Sequence, residues 1–168
     1  DARRRFEQQL KRGRASLDVV KLPLYPYQQE GMMHLAFTGR AMLADEMGLG
    51  KTVQAIAGCE LLNRLHNIDK VLVISPASLK SEWLEQIDKF SARSALIIHG
   101  MRRQRYKLYQ QSAFYYLANY EQILYDKDFI NSEFKPDLII LDEAQRIKNW
   151  QTKTASAIKK LSSPYAFV

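Results

Sequence analysis

The sequence predicts an α/β fold, a mainly parallel sheet with helices on its faces, and three observations carry the prediction. Short apolar runs at residues 71–75, 95–99, 114–118, 138–141 and 166–168 alternate with stretches of helical patterning, and such alternation builds parallel sheets covered by helices. The stretch Ala44-Asp45-Glu46-Met47-Gly48-Leu49-Gly50-Lys51-Thr52 is a glycine-rich turn between an apolar run at 40–44 and an apolar helix that opens at Val53. That is where a turn that wraps phosphates sits. Finally, the run Leu138–Leu141 ends in Asp142-Glu143, so a buried strand delivers two carboxylates at the sheet edge where open α/β folds bind ligands.

The elements follow in order. Residues 1–21 are basic and helix-permissive, with Arg3-Arg4-Arg5 and Lys11-Arg12-Gly13-Arg14 around Phe6 and Leu10, and read as a helix or linker ahead of a domain at 22–168. Pro23 and Pro26 punctuate the start of a helix at 27–37, which Thr38-Gly39 ends. Beyond the glycine-rich turn, helices are predicted at 52–66, 79–90, 101–110, 120–125 and 152–161. The chain closes on a strand at 166–168. No repeat or low-complexity segment is visible.

Composition narrows the class. At 168 residues and 46% hydrophobic, the chain suits one cored domain. A net charge of +7 favours a polyanionic partner without requiring one. Cys59 alone excludes an internal disulfide, and no apolar run is long enough to span a bilayer; an intracellular, reducing compartment is the expectation. The chain lacks an initiator Met and stops within a strand-like run, which reads as a piece of something longer.

The chemistry concentrates in two places. Gly48 and Gly50 permit backbone angles and a close approach that side chains would obstruct, so that successive N–H groups can face phosphates. Lys51 then reaches the β- and γ-phosphates of a nucleoside triphosphate and Thr52 ligates Mg²⁺. The general motif has Gly where this chain has Asp45. In the second place, Asp142 holds Mg²⁺ and Glu143 orients and activates the attacking water. His34, His66 and Cys59 stand alone, without metal-ligand companions.

Here the residues carry a family resemblance. Asp45-Glu46-Met47-Gly48-Leu49-Gly50-Lys51-Thr52, followed by Gln54-Ala55-Ile56, resembles the phosphate loop of the Swi/Snf-type ATPases of helicase superfamily two, a family that typically has Asp at this place. Leu24-Tyr25-Pro26-Tyr27-Gln28-Gln29-Glu30-Gly31 is similar to the family's segment upstream of that loop. The resemblance assigns adenine recognition to Gln28, with Tyr25 where Arg is common. Ile74-Ser75-Pro76-Ala77-Ser78-Leu79 with Trp83, and Ala118-Asn119-Tyr120-Glu121, resemble two segments that lie on the DNA backbone. Asp142-Glu143-Ala144-Gln145-Arg146-Ile147-Lys148-Asn149 resembles the extended carboxylate box, with Gln145 in place of His.

The resemblance implies the first RecA-like lobe of an ATP-driven translocase on double-stranded DNA. It implies an ATP site formed by Asp45, Met47, Gly48, Leu49, Gly50, Lys51 and Thr52, with Mg²⁺ on Thr52 and Asp142. It further implies duplex-backbone contacts from Ser75, Pro76, Ser78, Lys80, Asn119 and Tyr120. For Ser75, Ser78 and Lys80 the physical case is that hydroxyls, a helix N-terminus and a cation bind phosphate oxygens without reading bases. His99-Gly100 with Arg102, Arg103 and Arg105 adds a basic patch, either solvated or DNA-facing, whereas Trp83, Tyr115 and Tyr116 read as core.

The family's Thr-Gly-Thr-Pro segment, its arginine finger and its second RecA-like lobe are not in these 168 residues. A nearly inactive, monomeric fragment is therefore expected, since an arginine finger contributes about 10³ to 10⁵ in rate. A restriction-type translocase and a nucleotide-gated DNA-binding module without turnover remain alternatives. The expected location is the bacterial cytoplasm, with its nucleoid, or the eukaryotic nucleus.

Overall fold

Residues Val71–Ser75 form a strand that is buried along its whole length, because it has an apolar core on each side. Val71 and Val73 enter one cluster, while Leu72 and Ile74 enter the other. A strand's side chains point alternately to opposite faces, so this one run requires helices on both faces of the sheet. The computed structural model describes residues 1–42, 50–145 and 153–168.

In chain order the helices and strands are α1 (Ala2–Lys11), α2 (Pro26–Thr38), β1 (Arg40–Ala41), α3 (Lys51–His66), β2 (Val71–Ser75), α4 (Lys80–Phe90), β3 (Ala95–Ile97), α5 (Arg102–Tyr109), β4 (Tyr115–Asn119), α6 (Tyr120–Phe129), β5 (Leu138–Leu141), α7 (Lys153–Lys159) and β6 (Tyr165–Phe167). Among the described residues the sheet has the order β1-β6-β5-β2-β4-β3, and every pairing is parallel. Helices α1 to α4 contribute Phe6, Met32, Ile56 and Trp83 to one face. The other face takes Tyr109, Ile123 and Ile158 from α5, α6 and α7. Val53–Leu62 of α3 are all buried, which suits a helix packed between α2 and α4 as well as against the sheet.

Local chemistry sets the helix ends. Pro26 opens α2 and Gly39 closes it with φ 78°, a left-handed backbone that glycine adopts without strain. Asp1 caps α1 by accepting from Arg3 N at 3.0 Å. Residues 1–21 thus begin as a helix, and it is docked: Phe6 packs against Phe37 with the rings tilted and their centres 5.4 Å apart, and Arg3 pairs with Glu7 and Glu30.

Two elements differ most in extent from the sequence expectation. β3 stops at Ile97, although Ile98 N still bonds Leu117 O at 2.8 Å and leaves His99 exposed. α6 continues to Phe129 and then through a π-helical turn, Ile130–Phe134. This continuation buries Asp126 against Arg105 and sets Phe134 against Tyr109 and Tyr116. The predicted strand at 40–44 and helix at 152–161 run partly outside the described residues. Among the described residues, no helix is long and apolar enough to cross a membrane.

Candidate functional site

An all-parallel sheet gathers the C-terminal ends of its strands at one edge, and the sequence motifs meet there. Gly50 precedes α3 with φ 85°. A Cβ at that position would stand 3.0 Å from Gln28 Nε2 and 3.2 Å from Tyr27 Oη, so backbone angle and crowding both call for glycine. Lys51 and Thr52 form the first turn of α3 and are half-buried. Asp45, Met47, Gly48 and Leu49, the remainder of the expected loop, lie outside the described residues.

Gln28 is buried beneath this turn. Its Oε1 accepts from Tyr25 N at 2.9 Å, which holds the start of α2 and directs the amide nitrogen toward Gly50. Tyr25 and Tyr27 expose their rings beside it, nearly parallel, with centres 6.2 Å apart.

Asp142 follows β5 directly, and besides a bond from the Glu143 backbone three hydrogen bonds to residues distant in sequence fix it. Its N–H donates to Ile74 O at 2.9 Å. Its carbonyl accepts from the Tyr120 hydroxyl at 2.6 Å. Its Oδ2 accepts from the Trp83 indole N–H at 2.8 Å. Burial, above all, raises the Asp142 pKa above the ordinary carboxylate value, and the neighbouring Glu143 adds to this; the Trp83 bond and Lys51 pull it back. Tyr120 is pushed up by burial and by the negative field of Asp142 and Glu143, so its hydroxyl stays a donor. Glu143 has φ 57°, a left-handed conformation that is uncommon for a side chain of this kind and recurrent at functional sites. Its carboxylate accepts from Gln145 Nε2.

These groups share one opening. A cleft of about 500 Å³ is lined by Lys51, Thr52, Trp83, Asp142, Glu143 and Gln145, among others. A second hollow of about 300 Å³ is bordered by Gly50, Thr52, Trp83 and Asp142. A hydroxyl and a carboxylate on one cleft form a hard oxygen donor set of the kind Mg²⁺ takes. Among the described residues, no Lys or Arg forms an ion pair with Asp142.

The six residues expected on a duplex backbone divide. Pro76 is half-exposed and Ser78 exposed, at the mouth of β2. Ser75 is buried and its hydroxyl donates to Pro76 O at 3.0 Å. Asn119 is buried, with its amide donating to Glu121 Oε2 at 2.6 Å. Tyr120 is buried on Asp142. Lys80 corrects the expectation of a phosphate-facing cation: its Nζ donates to Ile98 O at 2.6 Å and to Gln122 Oε1 at 3.1 Å. Ile98 is buried and Gln122 half-buried, so Lys80, itself buried, ties α4 to α6 from inside. Arg102, Arg103 and Lys107 on α5 are exposed cations. Arg105 is buried, and its guanidinium holds Asp126 with two bonds of 2.7 Å.

Sequence reasoning assigned Trp83 to the core and found no role for Gln122. A buried indole needs a partner for its N–H, which was the available signal; that the partner is Asp142, 59 residues away in sequence, is a tertiary fact.

Comparison with known proteins agrees with this fold. The SNF2-related domain matches residues 27–168. The chain is 32% identical over 98% of its length to TATA-binding protein-associated factor 172 of Homo sapiens. It is 33% identical over 89% to the ISWI chromatin-remodeling complex ATPase ISW1 of Saccharomyces cerevisiae. It spans only 10% and 14% of those two proteins. Among solved structures, the Sulfolobus solfataricus SWI2/SNF2 ATPase core in complex with dsDNA superposes with a TM-score of 0.80 at 32% identity, over 91% of this chain and 33% of that one. With its all-parallel sheet, its Gly50-Lys51-Thr52 turn and its Asp142-Glu143 strand end facing one cleft, the chain belongs to the SNF2-related domain family.

Proposed function

We propose that the chain binds ATP with Mg²⁺ in the cleft between α3 and the end of β5, as the first lobe of an ATPase that moves along double-stranded DNA. The observation that carries this reading is the convergence of Lys51 and Thr52 with Asp142 and Glu143 on one cleft, on the same sheet edge as Pro76 and Ser78. Lys51 serves the β- and γ-phosphates, with the expected loop at 45–50 around them. Thr52 and Asp142 would hold the metal, which would supply charge neutralisation at the phosphates. Glu143 orients the attacking water and accepts its proton.

The duplex backbone runs past Pro76 and Ser78, and backbone contact makes the tracking largely independent of sequence. A second RecA-like lobe of the complete protein closes over the nucleotide and provides the arginine finger. The isolated lobe is monomeric, binds ATP weakly and turns it over slowly or not at all. A duplex substrate locates the protein with the genome, in a bacterial nucleoid or a eukaryotic nucleus.

The test is DNA-stimulated ATP hydrolysis by the complete protein with and without Lys51→Ala. Loss of one positioned cation at the phosphates lowers turnover by about 10²-fold or more. Turnover equal to the unsubstituted protein would refute the assignment.

A further inference from the structure

We propose that Trp83 is a positioning residue that aims the Asp142 carboxylate, and that together with Tyr120 it links the sheet edge bearing Pro76 and Ser78 to the metal side of the nucleotide cleft. The proposal rests on the reading above for what Asp142, Pro76 and Ser78 do. Its own basis is the way Asp142 is held.

Three of the hydrogen bonds at Asp142 come from elements that adjoin that edge, and a further one comes from the backbone of its neighbour Glu143. Ile74 O, which takes its N–H, immediately precedes Ser75. Tyr120, which donates to its carbonyl, immediately follows Asn119. Trp83, which donates to its carboxylate, lies one helical turn beyond Lys80 on α4. A shift of the α4 N-terminus relative to α6 therefore changes the direction in which the Asp142 oxygens point.

The chemistry of the donor matters as much as its position. An indole supplies one N–H and no charge, so it can orient a carboxylate oxygen without neutralising it. A guanidinium in the same place would satisfy the carboxylate as Arg105 satisfies Asp126, and would compete with a divalent cation. Trp83 is also only 3% exposed and lines the cleft, so its bond with Asp142 is shielded and directional. Partners that orient a metal ligand in this way contribute about 10- to 100-fold in metal affinity or activity.

The experiment uses the complete protein and Trp83→Phe, which keeps a large buried ring and removes the N–H. The readout is equilibrium binding of a fluorescent non-hydrolysable ATP analogue across a Mg²⁺ titration, with and without duplex DNA, alongside a melting curve. Trp83→Phe is expected to move the Mg²⁺ midpoint up by about 10- to 100-fold, to abolish any shift of that midpoint on adding duplex, and to leave the melting temperature within about 2–4 °C. Tyr120→Phe, which frees the Asp142 carbonyl, is expected to act in the same direction and decides the question if Trp83→Phe does not fold. Folded variants with the wild-type Mg²⁺ midpoint and the wild-type response to duplex overturn the proposal. Absence of Mg²⁺-dependent analogue binding in the unsubstituted protein, or insensitivity to Lys51→Ala, overturns the reading of the site instead.

Discussion

Asp126 is a fully buried carboxylate and Asp142 a half-buried one, and the fold treats them in opposite ways. Asp126, fully buried, receives two 2.7 Å bonds from the Arg105 guanidinium, a fork that matches both oxygens and cancels the charge. Asp142 receives a neutral indole N–H instead and lies beside a second carboxylate, Glu143, whose proximity raises its pKa further. One arrangement is complete within the chain. The other leaves negative charge facing a cleft that already contains Lys51 and Thr52. The difference teaches that burial alone does not mark a site; what marks it is burial of a charge that, among the described residues, no ion pair cancels and that faces a cavity.

The sharpest way to break this contrast is to remove the cation from the complete pair. Arg105→Met should destabilise the fold by about 3–5 kcal/mol, since it strands a buried carboxylate. Denaturant unfolding would show it, and replacing both partners by apolar residues should recover much of the loss. If Arg105→Met unfolds at the wild-type midpoint, Asp126 is not the internally neutralised group described above.

Lys80 provides a second, smaller test, because it is a buried charge with neither an opposing fork nor a cavity to serve. Its Nζ meets two carbonyl-type oxygens, Ile98 O and Gln122 Oε1, and burial lowers its pKa to about 8. The charged groups facing it are Glu121, which raises the pKa, and Arg105, which lowers it. Because the folded value lies below the unfolded value of 10.5, the unfolded chain binds the additional proton between about pH 8 and 10.5. Stability contributed by this group therefore rises with pH through that window, and the penalty of the buried charge is in full force below it. At 1.36 kcal/mol per unit the swing is up to about 3 kcal/mol. Comparing wild type with Lys80→Met by unfolding at pH 7, 8.5 and 10 should show wild type gaining on the variant as pH rises; a constant difference would mean that the ammonium keeps its ordinary pKa.

These cases also show what the sequence could and could not convey. The apolar runs at 71–75 and 138–141 were legible as strands because a parallel strand covered on both faces has no polar side to disguise it. Lys51, Thr52, Asp142 and Glu143 were legible because each belongs to a local pattern tied to a turn or a strand end. The continuation of α6 was not, since the sequence Asp126-Lys127-Asp128 looks like a surface loop until Arg105 supplies the partner that lets Asp126 be buried. Lys80 looked like a phosphate contact for the same reason: Ile98 and Gln122 are distant in sequence. Trp83 was legible as buried but not as bound to Asp142. In each case the missing information was a pairing between distant residues, and no local spacing encodes it.

The smallest expected effect is the one that separates the two carboxylates most directly. Asp142→Asn keeps an acceptor oxygen for the Trp83 indole and a carbonyl for the Tyr120 hydroxyl, while removing a charge that burial penalises and Glu143 repels. At neutral pH its melting temperature should be unchanged or raised, by no more than about 2–4 °C, which corresponds to about 1 kcal/mol in a domain of this size. Asp126→Asn, by contrast, leaves the Arg105 guanidinium buried without its counter-charge and should be clearly destabilised. A functional group is retained against stability where its charge serves a ligand, so a cleft carboxylate should become dispensable to the fold once that ligand is set aside. If Asp142→Asn melts as far below wild type as Asp126→Asn does, the Asp142 charge is part of the scaffold, and the contrast between a finished ion pair and a site awaiting a cation fails.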